Sequence, residues 1–202
     1  DGGDCLATVE AYNPRTNTWR SCLPMSQPRV CAVAGVVGGR LVVAGGWTGC
    51  PRTCTGESLT SVEAYTPTGW TPLPPLPHAA NMATACVLNG RLYVMGGQHC
   101  NKLQVLEMSE ENGFTWSVKA DLPAARYCAA SAVVHGKLWI MGGFGEGVQS
   151  TATVTIYDPA TDTWVAGPQL PHPGPYRAAI LDGELRVENE HAGNLRYNGT
   201  AW

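Results

Sequence analysis

Cys50 and Cys54, in GCPRTCTG, form a local pair in a 202-residue chain that holds eight cysteines. A C-x₃-C pair can close a small disulfide or give two of the four ligands of a structural zinc. Two further ligands are missing nearby, so free thiols are expected, with a loop disulfide as the alternative and no metal. Cys31 and Cys128 share a repeat position and Cys86 follows four places later in its own copy, so all three are expected on one buried strand face. Cys5, Cys22 and Cys100 are scattered, and the pattern fits a reducing compartment. The histidines His78, His99, His135, His172 and His191 do not pair at ligand spacing. No nucleophile elbow, phosphate loop or paired-carboxylate signature is present. The expectation is therefore a non-enzyme without catalytic residues or cofactors.

Internal repeats set the elements that must carry these residues. VEAYNPRTNTW, VEAYTPTGW, VTIYDPATDTW and NLRYNGTAW each end on a tryptophan (Trp19, Trp70, Trp164, Trp202), and VLEMSEENGFTW ends on Trp116 with Met108 where the others have Tyr. Self-similarity near 50 residues means stacked supersecondary units. Between the tryptophans recur a small-residue run, a tight turn, an apolar run and a glycine doublet. The turns Gly38-Gly39, Asn89-Gly90, His135-Gly136 and Asp182-Gly183 suit two-residue hairpins. The doublets Gly45-Gly46, Gly96-Gly97 and Gly142-Gly143 follow at a fixed distance, whereas the loop beyond each varies in length. Each unit reads as four antiparallel strands: a (small residues), b, c (Tyr) and d (Trp). Strand a is rich in alanine, so its side chains are the smallest of the unit.

With these doublets, the spaced Tyr and Trp, and arginines ahead of strand a, the sequence resembles the kelch family of β-propellers. Departures are Ala80 at an arginine position, Met108 for Tyr, and Asn189-Glu190 for the last doublet. The resemblance implies an all-β kelch-type propeller of four-stranded antiparallel blades, about four to five represented and incomplete at both ends. The expected layout is one domain, 1–202, with a partial blade 1–26, blades 27–76, 77–123 and 124–172, and a degenerate partial blade 173–202. That count suggests a piece of a larger ring, with a small closed ring as the alternative.

The resemblance also implies a protein-interaction module, binding on the face formed by b–c and d–a loops. Ubiquitin-ligase substrate recognition is the leading role. A cytoskeletal or scaffold protein, and a propeller enzyme of sugar-epimerase or oxidase type, are the alternatives. Residues mapped to that face are Arg29, Arg126, Trp47, Gln98, Phe144, Arg52 and His99, with an acidic peptide or protein as the partner. Neither a copper set of His and Tyr nor an iron-binding Glu-x₃-Asp-x₃-His is present. A formal charge of −3 with 14% charged residues leaves no basic stripe for nucleic acid. No apolar run is long enough to span a bilayer, so no membrane partner is expected and the localisation expected is cytoplasmic.

Overall fold

The computed structural model describes residues 5–49, 55–190 and 193–202. Its strands are β1 (Val9–Asn13), β2 (Thr18–Cys22), β3 (Val33–Val37), β4 (Arg40–Ala44), β5 (Val62–Thr66), β6 (Gly69–Leu73), β7 (Thr84–Leu88), β8 (Arg91–Met95), β9 (Leu103–Ser109), β10 (Gly113–Lys119), β11 (Ala130–Val134), β12 (Lys137–Met141), β13 (Val154–Asp158), β14 (Thr163–Ala166), β15 (Arg177–Leu181), β16 (Glu184–Asn189) and β17 (Gly193–Arg196). All pairings are antiparallel between consecutive strands. Three four-stranded sheets, β3–β6, β7–β10 and β11–β14, are blades one, two and three of a propeller. The β1–β2 hairpin flanks them on one side and the three-stranded β15–β17 sheet on the other.

Local chemistry explains the hairpins. All four a–b turns have both central residues at positive φ, including Asn89 at 51° and Gly90 at 72°. This is the type I′ geometry that continues the right-handed strand twist. Strands β8 (RLYVM) and β12 (KLWIM) are continuous apolar runs because blades cover both of their faces. Accordingly, three separate cores lie between successive sheets. One joins Val33, Val42 and Ala64 to Leu92 and Leu106. The second joins Leu88, Tyr93 and Leu103 to Leu138 and Tyr157. The third joins Ala132 and Trp139 to Leu185 and Val187.

Four tryptophans, each following a c–d hairpin, also tie their unit to the loop that leaves the preceding sheet. Trp70, Trp116, Trp164 and Trp202 donate indole N–H to the carbonyls of Leu23, Pro74, Ala120 and Pro168, all at 2.9 Å. Tyrosine packs beside tryptophan in the Tyr12–Trp19, Tyr65–Trp70, Tyr157–Trp164 and Tyr197–Trp202 pairs, with ring centroids 5.0–5.3 Å apart. In blade two the residue facing Trp116 is Leu106, not Met108. The longer β9–β10 hairpin slides the motif by two residues and leaves Met108 exposed.

The glycine doublets join one blade to the next. The second glycine donates to a d–a loop carbonyl of the following unit: Gly46 to Ala80 at 2.6 Å, Gly97 to Arg126 at 2.9 Å and Gly143 to Gly174 at 2.7 Å. The first glycine gives that carbonyl room, since a Cβ on Gly96 would sit 2.5 Å from the Arg126 oxygen. It also holds φ at 67°. Gly90 has a similar φ, yet a Cβ there would meet nothing within 4 Å. Gly90→Ala should therefore lose only the left-handed penalty, about 1–2 kcal/mol. Gly96→Ala should lose roughly twice that, because strain and a carbonyl clash add. Urea midpoints of the two variants check the difference, and equal midpoints would show that the doublet is not a close-approach device.

Candidate functional site

The b–c and d–a loops share one face of the propeller, and on it each blade repeats a small frame. Val30 and Trp47 exchange both backbone hydrogen bonds, as do Tyr127 and Phe144, while Gln98 N–H donates to Asn81 O. The residue after the arginine position thus always meets the residue after the doublet, at the same offset of 17 residues. That constant offset was the sequence signal for Asn81 and Tyr127 as site residues, and it was missed. Nearer the channel, Met82 N–H donates to Cys31 O and Cys128 N–H to Met82 O. These three residues hold φ at 51–56°. Cys31 and Cys128 are exposed rather than lying on a buried strand face, and only Cys86 lies in a strand a. The expectation failed because strand a starts two residues later than the small-residue run suggested. Although the residues are exposed, partial burial of the sulfurs themselves pushes both thiols above their usual pKa. They are thus poor thiolate nucleophiles at neutral pH.

Arg29 and Arg126 occupy the arginine positions but turn inward. Each is 7% exposed. Arg29 donates to Glu63 Oε1 at 2.7 Å, Gly45 O at 2.7 Å and Ser61 O at 3.2 Å. The other carboxylate oxygen of Glu63 accepts from Ser26 N–H and Oγ–H. Arg126 donates to Thr153 O, Thr153 Oγ1 and Thr155 Oγ1. Both guanidiniums are thus used inside their blades rather than standing free on the loop face to which the sequence mapped them. Where blade two has Ala80, Gln104 fills the same job: its side chain accepts from His78 N–H at 2.7 Å and donates to His78 O at 3.0 Å.

Two cavities meet on the face between blades two and three. One, about 250 Å³, is lined by Gly97, Gln98, His99, Tyr127, Glu146 and Val148 among others. The second, about 580 Å³, shares Ala125, Gly145 and Glu146 with it and runs on over blade three. Gln98 and His99 are exposed, as is Val148 at 72%. Tyr127 and Phe144 stack at 5.6 Å and 29°. Trp47 is half-buried, and the backbone of Gly49 and Gly56 covers its ring. The structure thus brings Gln98 and His99 to one groove, stacks Phe144 on the Tyr127 that lines it, and leaves Trp47 over blade one. Arg52, Cys50 and Cys54 lie outside the described residues. Among the described residues, no group of three or more His, Cys, Asp or Glu is placed to hold a metal ion, and no helix is long and apolar enough to cross a membrane.

Burial makes the Arg29–Glu63 pair sensitive to losing one member. Glu63→Gln should strand the guanidinium and cost about 3–5 kcal/mol. Replacing both, as Arg29→Met with Glu63→Val, should recover most of that loss. Denaturant melts of the single and double variants measure it, and an unaffected Glu63→Gln protein would remove the pair from the scaffold.

The comparisons with known proteins follow this geometry. The Kelch motif model matches residues 1–26, 28–77 and 125–171. Kelch-like protein 35 of Mus musculus is 27% identical over 187 residues, covering 89% of this chain and 30% of that protein. F-box protein AFR of Arabidopsis thaliana is 33% identical over 98 residues, 48% of this chain and 25% of that protein. Kelch repeat and BTB domain-containing protein 12 of Danio rerio is 37% identical over 95 residues, 42% of this chain and 15% of that protein. The chain thus spans under a third of the length of these relatives. The solved structure of YjhT superposes with a TM-score of 0.75 at 14% identity, covering 94% of this chain and 71% of that one, which shows the fold. With most of its length under the Kelch motif and the same blade architecture, the chain belongs to the kelch-repeat family of β-propellers.

Proposed function

We propose that this chain is a protein-interaction propeller that takes a partner protein or peptide in the groove between blades two and three. The observation that carries the reading is the pairing of two exposed polar side chains, Gln98 and His99, with the exposed Val148 and the stacked Tyr127–Phe144 pair. Adaptable polar contacts beside a rigid aromatic anchor are what binding hot spots need. Doublets and bridges hold the groove's floor, so little ordering cost falls on the complex. An acidic partner remains part of the proposal, with the exposed imidazole of His99 as a hydrogen-bond donor to it. The names of the F-box and BTB-domain relatives support a further step: the chain serves as the substrate-recognition part of a ubiquitin-ligase adaptor.

The test is a peptide-display selection on the purified chain, followed by titration of a selected peptide. Gln98→Ala with His99→Ala, and separately Val148→Asp, should each weaken binding at least tenfold while leaving the melting temperature nearly constant. Glu110→Ala with Glu111→Ala, on a c–d turn at the far face, should change nothing. Loss of binding only in the far-face variant would place the partner elsewhere and overturn the reading.

A further inference from the structure

Blade three holds the arginine of blade one but not its counter-ion. In blade one, Glu63 pairs across to Val43 on strand b. In blade three the residue at that place, across from Ile140, is Thr155. The second support of the Glu63 carboxylate is also gone. Met25 and Leu122 make the same backbone bond to their b–c loops, to Ala7 O and Asn101 O. The residues that follow them, Ser26 and Pro123, are therefore equivalent. Proline offers neither the N–H nor the hydroxyl that Ser26 gives to the carboxylate.

Arg126 keeps the inward pose all the same. Its oxygen partners, at 3.2, 2.7 and 3.4 Å, are a carbonyl and two hydroxyls. Among the described residues, no carboxylate lies within ion-pair distance of it, although the residue is only 7% exposed. Neutral oxygens satisfy its donors without cancelling its charge, and buried charges are ordinarily paired. Burial accordingly draws its pKa below the usual arginine value. The larger cavity, about 580 Å³, opens at this spot, and its lining includes Arg126 together with Pro123 and Thr155, the two positions that lost the carboxylate and its support.

We propose that this cavity is a carboxylate-binding socket, in which a ligand's carboxylate takes the place that Glu63 fills in blade one and pairs with Arg126. In blade one a singly charged carboxylate fits the equivalent arginine, Arg29. Glu146 on the cavity lining and the formal charge of −3 act against a dianion such as phosphate. Ser150, Thr151 and Gln149 supply further polar groups around the entrance. The inference comes from comparing blades, so it stands whether or not the neighbouring groove takes a partner.

Two probes separate the sources of such a group: sodium acetate for a small free acid, and N-acetyl-glutamate amide for a side chain in a peptide. Each is titrated against sodium chloride at matched ionic strength, with the Arg126 guanidinium N–H resonances as the readout. A saturable shift with at least one probe is expected. Tighter binding of the capped glutamate assigns a peptide side chain, and equal affinity assigns a small acid. Thr155→Glu puts the carboxylate back, so it should weaken either probe at least tenfold and raise the melting temperature. Thr155→Gln, similar in size but neutral, should keep the higher affinity, and Glu110→Ala with Glu111→Ala, on the far face, should leave the shift unchanged. No saturable shift with either probe, or equal affinity in wild type and Thr155→Glu, would overturn the socket.

Discussion

The hydrogen bond from the second glycine of a doublet to a carbonyl of the next blade is the constraint on which this molecule depends. Inner strands alone would stack loosely, since they are short and lined with small side chains. At 2.6–2.9 Å, the contact leaves no space for a Cβ on the preceding residue. It therefore dictates glycine twice, once for close approach and once for backbone hand. The same step fixes which loops share a face. The carbonyl that accepts belongs to the d–a loop, and the residue just past the doublet begins the b–c loop. The candidate groove is a consequence of this joint.

The tryptophans act on the outer side of the same joint. Their indole N–H groups reach the loop that leads out of the preceding sheet, at one repeated distance. Each interface is thus closed at two radii, with a separate apolar core between. A propeller of this kind needs little from any one side chain on its loops. Loop residues can change freely as long as both bonds form, which is how a scaffold accommodates different surfaces.

Much of the fold was legible because its devices are short in sequence. Turn dipeptides, doublets and tryptophans each report a backbone requirement within a few residues, and the sheets appear where they predict. The misreadings came from counting between motifs. Met108 was aligned with tyrosine because the tetrapeptide VLEM matched VEAY, yet a hairpin two residues longer on each strand puts Leu106 against Trp116. Leu23-Pro24 and Leu122-Pro123 are alike in sequence, yet the backbone bonds pair Met25-Ser26 with Leu122-Pro123. The site was less legible still. An arginine at a loop–strand boundary looks the same in sequence whether it faces water or a glutamate 34 residues on. Only the register of strand c against strand b tells these apart.

Differences among the three inner nodes follow from that register. Arg29 with Glu63, Gln104 with the His78 backbone, and Arg126 with two threonines hold equivalent loops by three unlike chemistries. The first balances charge with charge, and the second avoids charge altogether. Gln104 can do so because one amide offers both a donor and an acceptor to the same residue, which suits a blade that has Ala80. The third keeps the charge and drops its complement. A buried ion pair contributes little net stability, so selection for folding alone could as well have replaced both members with apolar groups. Retaining only the arginine is the costliest arrangement for an empty blade. It becomes reasonable when the missing carboxylate is supplied from outside the chain.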